Sequence, residues 1–337
     1  MKLEKGFLKE RLGSMQQLAA IRRTVLQEGK GRDLRCAEVN NGSGLCFNVY
    51  PDRGMDIGEA NFKGIPLAWI TTGGAANPAF YEPENINWLR SWGGGLLTGC
   101  GLSNVGGPGE ANGDTHGLHG RLSHSPAKEF NTDCSWNSDG LYTLTISGKV
   151  VQSRVFGEKF LLHRTISTAL GENSITICDK IENLGFNTEP FMLLYHMNFD
   201  YPLIDDGTTL EIPEHKVTPQ NDIAAAGINE WQHATAPQPG FTEQVFYHDI
   251  PADADGFARA KVVNPALGMA MTVAYRTAEL PRLVQWKQMG QGEYVMGLEP
   301  ANCVPEGQNN CRAKGMLREL APGEIVETCV KLSFEEI

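Results

Sequence analysis

This 337-residue chain lacks the sequence features of several common protein classes. No window approaches about 18 uninterrupted apolar residues, and the N-terminus has no apolar signal-peptide segment, so we expect a soluble, cytoplasmic protein with no membrane partner. Lysine and arginine form no run, and 29 basic residues against 40 acidic ones give a net charge of −11. This charge balance disfavours binding to a phosphate backbone, and we expect no nucleic acid partner.

The motifs of several enzyme classes are missing as well. The chain has no GxSxG elbow, no P-loop and no strand–GxGxxG–helix unit, which disfavours serine hydrolases, NTPases and dinucleotide-dependent enzymes. Its eight cysteines include no CxxC pair and no zinc-like spacing. They are typical of scattered reduced thiols in a cytoplasmic protein. We accordingly predict no metal and no cofactor.

What the chain does contain is a succession of short strand patterns separated by Gly, Asn, Asp and Pro. Amphipathic helical patterns of about 10–15 residues do not come between them, which favours an all-β fold, a large antiparallel β-sandwich with few short helices. We predict one such domain over residues 35–337, with residues 1–34 as an N-terminal extension packed on it, in which Ser14 caps a short helix. The predicted strands span residues 44–50, 141–146, 160–166, 175–181, 191–199, 270–275, 283–289, 294–299 and 327–334.

The stretch FMLLYHMNFDYPL, residues 191–203, has the aromatic and large apolar residues of a strand. Because side chains alternate along a strand, the apolar residues at odd-numbered positions share one face, and His196, Asn198 and Asp200 share the other. An imidazole between an apolar strand and a polar end is a candidate general acid or base. The alternative is a structural histidine that bonds to a neighbouring carbonyl.

A second candidate lies in YVMGLE, residues 294–299, where Gly297 and Glu299 share a face. A carboxylate beside a glycine leaves room for a ligand, although an edge-strand glutamate in water fits the same pattern. Just upstream, LVQWKQM puts Gln285 and Lys287 together on one face. These two are candidate ligand contacts, and a simple ion pair between Lys287 and Glu299 is the alternative.

The Gly-rich segment from 93 to 120 interrupts the strand pattern, and a loop of this length inside a compact domain is typical of a functional segment. It contains His116 and His119, with Arg121 just after it. Two histidines three residues apart can bind one metal ion, but a zinc site normally needs at least three protein ligands, and no partner motif supplies the third. Without metal, these side chains offer hydrogen bonds to a polar ligand.

Four segments, taken in order, carry a resemblance to a known family. They are FNVYPDRGMDIG at 47–58, LHGR at 118–121, LLYHMNF at 193–199 and GLEPAN at 297–302. From about residue 35 to the C-terminus, the chain resembles the galactose mutarotase-like (aldose 1-epimerase) sugar epimerases, in particular a bacterial branch of them.

The resemblance implies a large antiparallel β-sandwich and an aldose 1-epimerase activity that uses no cofactor. It implies that Glu299 is the general base for the anomeric hydroxyl and that His196 is the general acid for the ring oxygen. His119 matches the family's second histidine, which holds a ring-side oxygen. Glu243 matches a position where the family has aspartate, and it is expected to bind a sugar hydroxyl.

The resemblance also guides the choice of substrate contacts. The arginine that the family places before its first histidine matches Arg90 best and Arg53 second. Met197 and Asn198 depart from the family pattern after the histidine, which indicates an unusual sugar. The predicted substrate-binding residues are Arg53, Asp56, Arg90, His116, Arg121, Asn198, Glu243, Gln285, Lys287 and Asn302.

The sequence leaves the substrate and the assembly open. We expect a small-molecule sugar as partner, and a sugar phosphate fits if Arg53, Arg90, Arg121 and Lys287 converge. The protein is expected to be a monomer or a homodimer. Two alternatives to the epimerase are a non-catalytic carbohydrate-binding protein with the same fold and a metal-dependent sugar isomerase built on His196 and the two loop histidines.

Overall fold

The computed structural model describes residues 2–213 and 215–337, which form 22 strands and three short α-helices. No helix in these residues is long and apolar enough to cross a membrane. The helices are α1 (Lys5–Lys9), α2 (Asp222–Ala226) and α3 (Gln308–Ala313). The strands, in chain order, are β1 (Ala20–Val25), β2 (Arg35–Asn40), β3 (Leu45–Tyr50), β4 (Asp56–Phe62), β5 (Ile65–Pro66), β6 (Thr98–Leu102), β7 (Gly109–Ala111), β8 (Asp114–His116), β9 (Ala127–Trp136), β10 (Tyr142–Ser153), β11 (Lys159–Ala169), β12 (Ser174–Asn183), β13 (Glu189–Phe199), β14 (Thr209–Glu211), β15 (Lys216–Pro219), β16 (Gln244–Asp249), β17 (Phe257–Asn264), β18 (Met269–Arg276), β19 (Arg282–Met289), β20 (Tyr294–Ala301), β21 (Arg318–Leu320) and β22 (Ile325–Glu336).

Two large sheets form the body of the molecule. The first has eight strands in the order β14-β17-β18-β22-β12-β11-β10-β9. The second has the order β15-β16-β19-β20-β13-β21, and β6 pairs with β13. A five-stranded sheet, β1-β2-β3-β4-β5, and the hairpin β7-β8 accompany them. Neighbouring strands in the large sheets are antiparallel, so the predicted antiparallel β-sandwich is confirmed.

The main hydrophobic core collects apolar side chains from both large sheets and from the five-stranded sheet. In β10, Leu144, Ile146 and Val150 are buried, whereas the residues between them are partly exposed or small. Each such buried side chain contributes roughly 1.5–3 kcal/mol of hydrophobic stabilisation. In β13 both faces are buried: its odd-numbered residues from 191 to 199 join the main core, and Met192 and Leu194 join a second cluster that is rich in tryptophan.

All nine predicted strands are present, most of them a few residues longer than predicted. Ser14 accepts a hydrogen bond from the backbone N–H of Gln16 and caps a 3-10 turn, Met15–Gln17, rather than an α-helix. Further on, β1 pairs with β2 along its whole length, so part of the predicted N-terminal extension belongs to a sheet. The domain division at residue 34 stays a prediction.

The cysteines differ in one respect from the expectation of eight reduced thiols. Cys178 in β12 and Cys329 in β22 lie directly opposite each other in the strand register, with Cα atoms 4.2 Å apart, and form a disulfide. Their separation of 151 residues in the chain explains why spacing gave no hint of the pair. The remaining six cysteines are free thiols.

Candidate active site

His196 and Glu299 belong to the neighbouring strands β13 and β20. The strands are antiparallel, and the register pair Met197–Leu298 adjoins His196 and Glu299, which sets these two residues opposite each other. Gly297 makes this arrangement possible, because a Cβ atom at that position would lie only 2.6 Å from Glu299 Oε1. The Gly-x-Glu pattern in the sequence therefore has a steric cause.

The carboxyl group and the imidazole meet inside the protein. Glu299 Oε1 lies 3.2 Å from His196 Nε2, and both side chains are buried. Burial, and then the charge of Glu243, raises the pKa of Glu299 well above its usual value. Burial, and then the neighbouring His119, lowers the pKa of His196 to about 3. Both shifts favour the state in which Glu299 is protonated and His196 is neutral, so that the pair holds one proton and no net charge.

Two polar atoms of this pair lack hydrogen bonds. Neither Glu299 Oε1 nor His196 Nδ1 has a partner within hydrogen-bond geometry in the described part of the chain. An unsatisfied buried polar atom costs roughly 1–3 kcal/mol, so native proteins rarely retain one without a use. The two atoms are consistent with a site that a polar ligand completes.

The predicted loop of residues 93–120 contains three short strands, β6, β7 and β8, and it brings a second histidine to the pair. Within it, β6 pairs with β13, so that Thr98 lies opposite His196. His119 has a left-handed backbone conformation with φ of 56°. Its Nδ1 accepts a hydrogen bond from the N–H of Gly106 at 3.4 Å, and its ring lies 5.5 Å from that of His196. Burial lowers the pKa of His119 to about 4.

These residues line a cavity of about 210 Å³ with tryptophan walls. The rings of Trp92 and Trp286 lie 5.1 and 5.5 Å from the ring of His196, and Trp88 lies 5.0 Å from His119. Indole faces pack well against the C–H surfaces of a small polar ligand.

Sequence reasoning missed the tryptophans as site residues. A signal was present, because Trp88 and Trp92 flank Arg90 in NWLRSW and Trp286 stands between Gln285 and Lys287. In each case we selected the polar neighbour, whereas the aromatic residue lines the cavity.

Glu243, for which the resemblance implies a contact with a sugar hydroxyl, lines the cavity. Its Oε2 accepts a hydrogen bond from Trp286 Nε1 at 2.6 Å, which fixes the carboxylate at the entrance. The other carboxylate oxygen faces no such donor and is suited to accept a hydrogen bond from a hydroxyl group.

Arg53 and Asp56 lie outside the cavity and support it from behind. The Arg53 guanidinium donates to the carbonyl of Ala76 at 2.7 Å and to Ser123 Oγ at 3.0 Å. Asp56 accepts from the backbone N–H of Gly99 at 2.8 Å and from Ser123 Oγ at 2.6 Å. Both side chains are buried, and their hydrogen bonds hold β6 in place rather than facing a ligand.

Gln285 and Lys287 occupy the face of β19 that points away from the cavity. Lys287 Nζ donates to the carbonyl of Glu230 at 2.6 Å, and Gln285 Nε2 donates to the carbonyl of Trp231 at 2.7 Å. The Lys287–Glu299 ion pair considered from the sequence does not form, because Val284 is the residue opposite Glu299.

The two asparagines brace the strands around the site. Asn198 Nδ2 donates to the carbonyl of Gly95 at 2.9 Å. Asn302 accepts from the N–H of Leu193 at 2.7 Å and donates to the carbonyl of Phe191 at 3.1 Å. Neither is among the residues that line the cavity.

The remaining predicted contacts are dispersed, and the four cations do not converge. Arg90 lines a neighbouring cavity together with Lys30, and His116 lines another cavity. Arg121 is half-buried at the start of a 3-10 turn, and it does not line the cavity around His196. Within the described ranges, no three His, Cys, Asp or Glu residues are placed to hold a metal ion together.

Comparisons with solved structures identify the fold. A Klebsiella pneumoniae protein, provisionally assigned as an aldose 1-epimerase, shares 24% identity, with 98% of this chain and 90% of that chain covered and a TM-score of 0.88. A galactose mutarotase-like protein of Clostridium acetobutylicum shares 15% identity, with 95% and 100% coverage and a TM-score of 0.68. The galactose 1-epimerase of Lactobacillus acidophilus shares 13% identity, with 94% and 99% coverage and a TM-score of 0.61.

Comparisons by sequence add one family. The profile of a family described as a domain of unknown function, DUF4432, matches residues 31–334. No protein with a curated description matches the sequence significantly. Together the results confirm, at the level of the fold, the galactose mutarotase-like resemblance inferred from four short segments.

Proposed function

We propose that this chain, which belongs to the DUF4432 family, is a carbohydrate epimerase that interconverts the anomers of an aldose by acid/base ring opening. The observation that carries the proposal is the buried contact of 3.2 Å between Glu299 Oε1 and His196 Nε2, in a cavity that also contains His119. Its galactose mutarotase-like fold supports the same reaction class.

The reaction needs two simultaneous proton transfers. One residue of the pair can donate a proton, and the other can accept one. In the reactive tautomer, Glu299 is a carboxylate and His196 is an imidazolium. Glu299 removes the proton from the anomeric hydroxyl, and the electrons of that O–H bond form the C1=O bond. The electrons of the bond between C1 and the ring oxygen move to that oxygen, which takes the proton from His196.

Ring opening leaves Glu299 protonated and His196 neutral, which is the protonation state that burial favours in both groups. The open-chain aldehyde then rotates about its C1–C2 bond. Ring closure on the opposite face of the carbonyl reverses both transfers, with Glu299 returning a proton to the anomeric oxygen. Neither step requires a proton from bulk water, so a closed cavity suits the reaction.

His119 is suited to hold the ring-side oxygen. Its lowered pKa, about 4, keeps the imidazole neutral near neutral pH. Since Nδ1 accepts the hydrogen bond of Gly106, the single ring proton is on Nε2, and Nε2 acts as a donor. Glu243, held by Trp286, supplies an acceptor for a sugar hydroxyl at the entrance.

The decisive test is Glu299→Gln, which keeps the shape of the side chain and removes the base. Saturation-transfer NMR on a panel of free aldoses and aldose phosphates should find at least one sugar whose anomer exchange the wild-type protein accelerates. For that sugar the variant should lose about 10²- to 10⁴-fold in rate.

Glu327→Gln makes the same charge change on an exposed residue, and its exchange rate should match that of the wild type. Acceleration that survives in Glu299→Gln would remove Glu299 from the mechanism. Saturable sugar binding without acceleration of any sugar would instead identify a non-catalytic carbohydrate-binding protein.

A further inference from the structure

A second cavity, of about 470 Å³, lies beside the active site and is separate from it. The segment that carries His119 contributes to both: Gly106, Gly107 and Leu118 line the active-site cavity, whereas Asp114 and His116 line the second one. In the described ranges the two cavities have no lining residue in common. The acid/base chemistry therefore leaves the second cavity without a role.

Negative charge predominates in this cavity. Arg154 is already engaged, because its guanidinium lies 3.5 Å from the carboxylates of Asp114 and Glu158. Glu189 and Glu319 lie on the paired strands β13 and β21, and neither forms an ion pair within the described chain. The charged residues that line the cavity are Asp114, Glu158, Glu189, Glu319, Arg154 and Arg312.

A buried imidazole adds a further acceptor. His116 is only 7% exposed, and its Nε2 has no hydrogen-bond partner in residues 2–213 and 215–337. Burial lowers the pKa of His116, so the ring is neutral near neutral pH. In the neutral tautomer with the proton on Nδ1, the ring has a lone pair on Nε2. A ligand that donates N–H groups would satisfy this atom.

An aromatic ring stands at the rim of the cavity. Phe156 lies in the turn between β10 and β11 and is 100% exposed, with a left-handed φ of 62° that holds it outward. Exposure of a phenyl ring to water does not stabilise the protein, whereas the face of the ring attracts a cation placed over it.

We propose that this second cavity binds a small organic cation with a primary ammonium group. The unpaired carboxylates of Glu189 and Glu319 supply charge, the lone pair of His116 Nε2 accepts an N–H, and the ring of Phe156 covers the cation. A metal ion fits less well, because in the part of the chain described no three ligating side chains lie close enough to share one.

The test uses the full chain and putrescine as the probe, in isothermal titration calorimetry at low ionic strength. Saturable binding with one site per chain is expected. Glu189→Gln should weaken it by at least about tenfold, and Phe156→Ala by about two- to fivefold, the loss of an exposed cation–π contact. Choline, which has no N–H to donate, should bind at least about tenfold more weakly than putrescine.

Glu182→Gln is the matched control, because it makes the same charge change outside the cavity. Its affinity for putrescine should stay within about twofold of wild type. Circular dichroism and thermal unfolding of each variant check that the fold is intact. The proposal is overturned if wild type shows no saturable binding, if Glu189→Gln and Glu182→Gln lose equal affinity, or if choline or Mg²⁺ binds as tightly as putrescine.

Discussion

The two faces of β13 bury polar groups in opposite ways. On one face, Tyr195 Oη donates to Asp179 Oδ2 at 2.7 Å and contacts the hydroxyl of Thr328. Asp179 also accepts three hydrogen bonds from Arg164, at 2.7, 2.9 and 3.2 Å, and both of these side chains are 0% exposed. One residue further on, His196 faces the other way and meets Glu299 with unsatisfied atoms on both partners.

The two faces therefore differ in how they offset the cost of burying polar groups. A buried charge costs several kcal/mol unless it is paired and hydrogen-bonded, and the cluster around Arg164 meets that requirement within the protein. The His196–Glu299 pair avoids the cost differently, because the shifted pKa values leave both groups neutral. Missing hydrogen bonds, more than burial itself, distinguish the face of β13 that carries the proposed site.

The largest expected effect comes from breaking the satisfied face. Arg164→Leu leaves the Asp179 carboxylate buried without its cation, and the free energy of unfolding should fall by about 3–5 kcal/mol. Urea unfolding followed by circular dichroism measures the change.

The double variant Arg164→Leu/Asp179→Leu is the control, because it leaves no lone charge in the core. It should be more stable than Arg164→Leu by at least about 1 kcal/mol, since well-packed apolar residues can replace a buried ion pair at little cost. A double variant as unstable as the single one would mean that packing around Arg164, rather than charge pairing, stabilises this face.

A smaller effect is expected from Tyr195→Phe, which tests whether the two faces are independent. The variant loses a hydrogen bond to a charged acceptor, worth about 1.5–3 kcal/mol of stability. Because Tyr195 points into the main core, anomer exchange per folded molecule should stay within about twofold of wild type. Chemical denaturation and saturation-transfer NMR give the two values. A parallel loss of exchange would show that the faces are coupled through the strand.

Strand periodicity made much of this arrangement predictable. The division of residues 191–199 into two faces is confirmed, because backbone geometry imposes the alternation wherever the strand is placed. The pairing of β13 with β20 also agrees with the predicted partnership of His196 and Glu299.

Periodicity gives which side chains share a face but not which face meets the ligand. In β19 the selected residues, Gln285 and Lys287, lie on the face that points away from the cavity, whereas Trp286 lines it. The tryptophan walls and the Cys178–Cys329 disulfide depend on contacts between distant segments, which local patterns do not encode. The glycines of β6 are atypical of a strand, so the local pattern did not indicate that this segment pairs with β13, which is distant in the chain.

The smallest expected effect is a flat pH profile, and it tests the neutral state of the His196–Glu299 face. As pH falls, the pair takes a second proton only near the lowered pKa of His196, about 3. As pH rises, it loses its single proton only above the raised pKa of Glu299. Between about pH 5 and the raised pKa of Glu299, kcat/KM for anomer exchange, measured by saturation-transfer NMR and corrected for uncatalysed exchange, should therefore be constant. A loss of kcat/KM as pH falls through about 6.5 would mean that His196 titrates like an exposed imidazole, and the two faces of β13 would then differ in their hydrogen bonds but not in their charge.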